Sequence, residues 1–264
     1  MAESLYWHEP TMRNDGAMPS ILAIGDSWFW YPLPGGSLAT CLARLVAAKQ
    51  HTVLAFGNNG AEAFDYVGGV YADVVERALD RYGDGCSAVF VSGGGNDFAG
   101  FNDLRPLLRV DCSACTTAPA CFNHGTLPGT VEELFARVAQ YYAELIDRIL
   151  WSVPAAATIF VHSYDYALPS GQAVIGSSAW LKPALVAAGV PPPLRAGCVA
   201  YLIDRFSGRL EDLEAGYGGR VAFVDSRGTL DPGDWANELH PTGAGFRKIA
   251  RQNWRPALAA AGLA

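Results

Sequence analysis

The sequence predicts a three-layer α/β/α sandwich around a five-stranded parallel sheet, and three observations predict it. First, five short apolar runs recur along the chain: Ile21 to Ile24, Thr52 to Phe56, Ala88 to Val91, Thr158 to Val161 and Val221 to Val224. They are too short for helices and too continuous for half-exposed strands, which is the pattern of strands covered on both faces. Second, helical patterns separate them, and alternating strands and helices pair in parallel through right-handed crossovers. Third, 264 residues with 50% hydrophobic content supply a core for one large α/β domain. No repeat or low-complexity linker divides the chain, so residues 1–264 read as a single domain.

Each intervening element has its own signal. Leu38, Cys41, Leu42, Leu45 and Val46 follow Ser37, which serves as an N-cap. Val70, Val74, Ala78 and Tyr82 run into Gly83, a natural helix stop. From Thr130, a capping box with Glu133 leads into a helix whose apolar face is Leu134, Phe135, Val138, Leu145, Ile146 and Ile149. A further helix covers about residues 194–214, and a last one follows Pro241. The irregular stretches of about 98–129 and 165–193 hold much of the Pro and Cys and read as insertions on the domain.

Composition removes several functions. Nineteen Lys and Arg against 26 Asp and Glu give a net charge of −7, and no basic run tracks a phosphate backbone, so nucleic acid is not an expected partner. There is no apolar stretch of transmembrane length and no signal-peptide pattern at the start of the given sequence, so a soluble, cytoplasmic protein is expected unless it is exported by another route or a signal has been removed. Neither a lysine-bearing phosphate loop nor G-x-G-x-x-G after the first strand is present, which argues against nucleotide binding. No cofactor is implied, and the strand ends are too poor in ligands for a catalytic metal.

Ligands of open parallel sheets bind beyond the carboxyl ends of the strands. The first predicted strand delivers Gly25, Asp26 and Ser27, and the second delivers Gly57, Asn58, Asn59 and Gly60. The third delivers Gly93 to Asp97, and the fourth His162, Ser163, Tyr164 and Asp165. The fifth leads through a turn-rich segment to Asp234, Asn237, Glu238 and His240. Serine acyl transfer needs such a set: a hydroxyl, an imidazole to take its proton, and donors for the oxyanion. Ser27 is the candidate nucleophile, with its own N–H, the Gly60 N–H and the Asn96 side chain as oxyanion donors.

These residues resemble the SGNH hydrolases, or GDSL esterase/lipase family. The first block is Gly25-Asp26-Ser27-Trp28, with Trp where the family often has Leu. Gly60 stands in FGNNGAEAFD for the second block, with Gly57 matching a commoner upstream glycine. Gly94-Gly95-Asn96-Asp97 is the third, and His240-Pro241-Thr242 is the last. The resemblance spans residues 25–250 in family order. It implies a flavodoxin-like fold, cleavage of a small carboxylic ester through an acyl-enzyme, Ser27 as nucleophile and His240 as base, without a cofactor.

The sequence departs from the family at the acid, three residues before the histidine, where it has Asn237. The residues leave open a Ser-His-Asn site, an acid displaced to Asp234, Asp231 or Glu238, and a dyad held by a backbone carbonyl. Asn237 also motivates the alternative of a ligand-binding domain without turnover, and an acyl-transferase is a third reading, since water is only one acceptor. Among the other histidines, His8 lies in the N-terminal tail, His51 lies at the wrong sheet edge, and His162 reads as a buried structural residue. Cys112, Cys115, Cys121 and His124 have the spacing C-x2-C-x5-C-x2-H, which suits zinc; a loop disulfide of Cys121 with Cys112 or Cys115, or free thiols, are the other readings. Trp28, Phe29, Trp30, Tyr31, Tyr164 and Tyr166 are candidate pocket walls.

Overall fold

Each of the five apolar runs forms a strand, because a run of Val, Ile, Leu, Phe and Ala covered by helices on both faces needs no polar alternation. The computed structural model describes residues 4–30, 36–173 and 179–264. In chain order its main elements are β1 (Leu5–Tyr6), α1 (Glu9–Asn14), β2 (Ile21–Gly25), α2 (Leu38–Val46), β3 (Val53–Gly57), α3 (Ala72–Tyr82), β4 (Ala88–Ser92) and α4 (Phe101–Leu107). There follow α5 (Val131–Ser152), β5 (Thr158–His162), α6 (Lys182–Ala187), α7 (Arg195–Gly216), β6 (Val221–Val224), α8 (Gly243–Ile249) and α9 (Arg255–Ala260).

The sheet among the described residues has six strands, all parallel, in the order β1-β3-β2-β4-β5-β6. Without β1 this is the flavodoxin-like order, which reverses direction at β2. The expected count of five was short by β1, whose two residues pair with Val53 and Leu54. Two residues carry no periodicity, so only the pairing reveals such a strand. Register aligns Gly25 with Gly57 on one side and Ser92 on the other, so β2, β3 and β4 end level. On one face α2 packs against α8, while α3, α5 and α7 pack beside one another.

Three local expectations change. Thr130 precedes α5, but its hydroxyl bonds to the Gly125 and Leu127 carbonyls at 2.6 and 2.8 Å, so the capping box with Glu133 does not form. In α3 the buried face is Val75, Ala78, Leu79 and Tyr82, whereas Val70 lies before the helix with 74% of its surface exposed. Gly83 does end α3, yet with φ −52 the chain continues into a 3₁₀ turn. A Cβ at residue 83 would collide with the Ser152 carbonyl, so close approach of the end of α5, and not a left-handed cap, requires glycine there. Ser37 caps α2 as expected, accepting from the Thr40 N–H at 3.4 Å.

The insertions meet each other, with α4 of the first packed on α6 of the second. Glu238, fully buried, ties the second insertion down. Its carboxylate accepts the N–H groups of Gly171, Trp180, Leu181 and Lys182 at 2.7 to 3.1 Å.

Candidate active site

Ser27 lies two residues beyond β2, where the chain turns sharply. Asp26 makes that turn rigid: buried beneath it, its carboxylate accepts from the Trp28 N–H at 3.0 Å, the Ser92 hydroxyl at 2.8 Å and the Tyr164 hydroxyl at 2.5 Å. Burial raises the Asp26 pKa, and these three donors oppose the rise by favouring the charged form. Tyr164 also accepts from the Gly95 N–H at 3.2 Å, so one phenol links the loops after β2, β4 and β5.

His240 reaches Ser27 from 213 residues away in sequence, with Nε2 to Oγ at 2.8 Å. Its Nδ1 lies 3.0 Å from the Asn237 Oδ1. That same oxygen accepts the backbone N–H groups of Leu239 and His240, each at 2.9 Å. Two backbone donors on one atom identify it as the amide oxygen, so Nδ1 carries the imidazole proton and Nε2 is left to accept from Ser27. Ser27, Asn237 and His240 are all buried. Burial alone lowers the His240 pKa to about 4. The Trp28 indole N–H donates to the Leu239 carbonyl at 2.9 Å, bracing the histidine loop against the turn that carries Ser27.

The other acids weighed for this position face elsewhere. Asp234 accepts the Asp231 N–H at 3.0 Å and pairs with Lys248 at 3.1 Å, and these contacts hold its pKa below the usual range. Asp231 pairs with Lys248 at 2.7 Å, and Glu238 is spent on the second insertion. Of these neighbours, the structure brings Asn237 to the ring.

Asn96 lines the same cleft as Ser27, and its Nδ2 donates to the Ala61 carbonyl at 2.8 Å. Gly60 precedes Ala61 on an exposed turn, and it does not line the cleft. Its φ of +80 is what requires glycine, because a Cβ there would meet open space. Asp97 accepts the Ala63 N–H at 2.9 Å and so binds the β4 loop to the β3 loop; burial pushes its pKa up to about 7.

The cleft is narrow, with about 40 Å³ of room inside it, and opens to solvent. Asp26, Tyr164 and Asp165 also line it, and the rest of its wall is apolar, with Phe98, Ala99, Leu181, Val199 and Ile203 among its residues. Of the aromatics singled out from the sequence, Trp28 and Tyr164 line it. Phe29 is in the core, Trp30 lines a different groove, and Tyr166 bonds to Asp204 at 2.8 Å. Tyr31 lies outside the described residues. His162 is fully buried and stacks on Phe29, its Nδ1 bonded to the Ser163 carbonyl at 2.7 Å. No helix among the described residues is long and apolar enough to cross a membrane.

Sequence reasoning missed the Asp26–Ser92–Tyr164 network and the structural use of Glu238. Asp26 within Gly25-Asp26-Ser27 was the available signal for the network, whereas nothing local distinguishes Glu238 from Asn237.

No protein-family model matches the sequence, and no curated protein matches it either. Solved structures do. An extracellular lipase from Streptomyces rimosus superposes with a TM-score of 0.54 at 20% identity, over 92% of this chain and 99% of that one. A Streptococcus pneumonia protein described as a candidate platelet activating factor gives 0.55 at 16% identity, over 94% and 85%. A protein from Slackia heliotrinireducens assigned as an SGNH hydrolase gives 0.50 at 13% identity, over 89% and 96%. With a parallel-only sheet in the flavodoxin-like order and these likenesses, the chain has the SGNH hydrolase fold.

Proposed function

We propose that this protein is a serine hydrolase that cleaves a carboxylic ester through an acyl-enzyme. The observation that carries the reading is the continuous relay from Ser27 Oγ through the His240 ring to Asn237 Oδ1, at 2.8 and 3.0 Å, beside an apolar cleft. A serine hydroxyl becomes a competent nucleophile only when a positioned base takes its proton. Here His240 Nε2 accepts that proton as Oγ attacks the ester carbonyl, and returns it to the leaving alcohol. Water then attacks the acyl-enzyme by the same route in reverse. Asn237 holds the tautomer and ring orientation and adds no charge, so the imidazolium is stabilised less than beside a carboxylate.

The Ser27 N–H and the second amide hydrogen of Asn96 are the proposed oxyanion donors; the third expected donor, the Gly60 N–H, lies on the exposed turn outside the cleft lining. Anchoring Asn96 to Ala61 supports this role, since a donor is effective when it is already oriented as charge develops. Phe98, Val199 and Ile203 suit an apolar acyl group, and no residue of the relay calls for a cofactor. The likeness to the folds of a lipase and an SGNH hydrolase supports the reaction class.

Asn237 in place of a carboxylate also favours a second reading, a ligand-binding domain that keeps the fold without turnover. A fluorophosphonate label separates the two, because only an activated serine reacts. Stoichiometric labelling that disappears in Ser27→Ala, together with hydrolysis of p-nitrophenyl esters from acetate upward, supports the esterase. Absence of both would leave the binding domain. If alcohol acceptors outcompete water in product analysis, the acyl-enzyme serves a transferase.

A further inference from the structure

We propose that Cys112, Cys115, Cys121 and Cys198 are the four ligands of one structural Zn²⁺, which fastens the first insertion to α7. The sulfurs of Cys112, Cys115 and Cys121 all lie within 4.8 Å of one another. Tetrahedral zinc with Zn–S bonds of about 2.3 Å needs sulfurs about 3.8 Å apart, so modest side-chain shifts close this triangle around an ion. Cys198 stands outside that mutual spacing, in the first turn of α7, with its thiol on the Cys121 side of the cluster.

The backbone arrangement favours a metal. Cys112 and Cys115 share a turn closed by Cys115 N–H to the Cys112 carbonyl at 2.9 Å, and Cys121 ends the 3₁₀ turn Pro119–Cys121. The loop is pressed onto α7: Ala118 sits where a Cβ on Gly197 would be 3.3 Å from its own, and the Cys198 thiol donates to the Ala118 carbonyl at 3.8 Å. Cys112, Cys121 and Cys198 are buried, while Cys115 is partly exposed and leaves an entry path. Arg109 beside Cys112 offsets part of the negative charge of a four-thiolate site.

His124, the fourth ligand that the sequence spacing suggests, is otherwise engaged. Its Nδ1 pairs with Glu132 and its Nε2 with the Pro119 carbonyl, each at 2.9 Å. The fourth sulfur therefore comes from α7, 77 residues beyond Cys121, where no short motif includes it. Each of the six cysteines is a free thiol, and the two outside the cluster, Cys41 and Cys86, belong to the core. Binding exchanges four thiol protons for one Zn²⁺ with no redox change. Its structural consequence reaches the cleft, because Val199 and Ile203 on the same helix form part of the wall.

The test is metal content of the full-length protein purified under reducing conditions without added chelator. About one zinc per chain is expected, released to a colorimetric chelator as a mercurial thiol reagent titrates the cysteines. Cys198→Ser should lose most of that zinc, while Cys41→Ser and Cys86→Ser keep it. Metal-free wild type given Co²⁺ should develop the visible bands of a tetrahedral cobalt thiolate. If Cys198→Ser fails to fold, the wild-type zinc and cobalt measurements decide alone. Neither zinc nor Co²⁺ uptake by wild type, a disulfide among these cysteines in the native mass, or full zinc retention by folded Cys198→Ser would overturn the assignment. These readouts do not involve catalysis, so they stand apart from the esterase reading.

Discussion

Replacing Asn237 with Asp adds one negative charge at the far end of the relay and changes almost nothing else in shape. Oδ1 at residue 237 lies 3.0 Å from His240 Nδ1 and accepts two backbone N–H groups, so three donors await a carboxylate and keep it ionised. Two unit charges about 4 Å apart interact by about 4 kcal/mol at an effective dielectric of about 20. At 1.36 kcal/mol for each pH unit that is roughly three units, and since the backbone donors already draw on the new charge, about one to three is expected.

His240 begins at a pKa of about 4, and only its neutral form can take the Ser27 proton. The acidic limb of kcat/KM in wild type should therefore fall near pH 4, with activity present above it. In Asn237→Asp the limb should move up to about pH 5 to 7, and a more basic imidazole should raise kcat on the plateau. Hydrolysis of a soluble p-nitrophenyl ester, corrected for the nitrophenol pKa and followed from pH 3.5 to 9, measures both. A limb that stays in place while the variant remains folded would refute the claim that residue 237 governs the base.

Ser27→Ala should lower kcat by about three or more orders of magnitude with the fold retained, because residue 27 sits on a turn and loses only its hydroxyl; near-wild-type turnover removes the mechanism. Asn96→Ala should cost about 10²- to 10³-fold in kcat with a smaller change in KM, measured on the same ester. Asp234→Asn should leave kcat within a few-fold of wild type, since it weakens the pair with Lys248 and the turn contact to the Asp231 N–H, both away from the histidine; a crippled enzyme would make Asp234 the acid. Glu238→Ala removes the acceptor of four N–H groups, that of Leu181 buried and the others partly so, and should destabilise by about 3 kcal/mol in denaturant unfolding. His162, held neutral by burial with a pKa of about 4, supports the fold above the unfolded value of about 6.5 and withdraws up to roughly 3 kcal/mol as pH falls between them. His162→Leu should flatten the stability profile over that window.

The legible part of this protein is what neighbouring residues decide among themselves. An apolar run of four or five residues ended by glycine and a polar group is a buried strand and its carboxyl end, so Ile21–Gly25, Val53–Gly57 and Ala88–Ser92 placed Ser27, Gly60 and Asn96 near one edge of the sheet. The same logic fails where an element is too short to carry a period, as at Leu5–Tyr6, or where a side chain has two partners to choose from, as Thr130 does between the helix it precedes and the loop behind it.

Asn237 and Glu238 mark the boundary between the two kinds of information. They are adjacent, polar and buried, and in the sequence only the family spacing, not the residue type, points to Asn237 over its neighbour. Successive residues of a bent loop point in different directions, and the direction is set by what the rest of the chain has placed there. On one side is the His240 ring; on the other are the N–H groups of Gly171 and residues 180–182, four donors that the two oxygens of the buried Glu238 carboxylate satisfy together. The same holds for Cys198, brought to Cys121 by the packing of α7. Strand ends, and hence the approximate site, follow from short-range pattern; which of two adjacent polar residues serves it follows from unpaired donors and acceptors that exist only once distant segments have met.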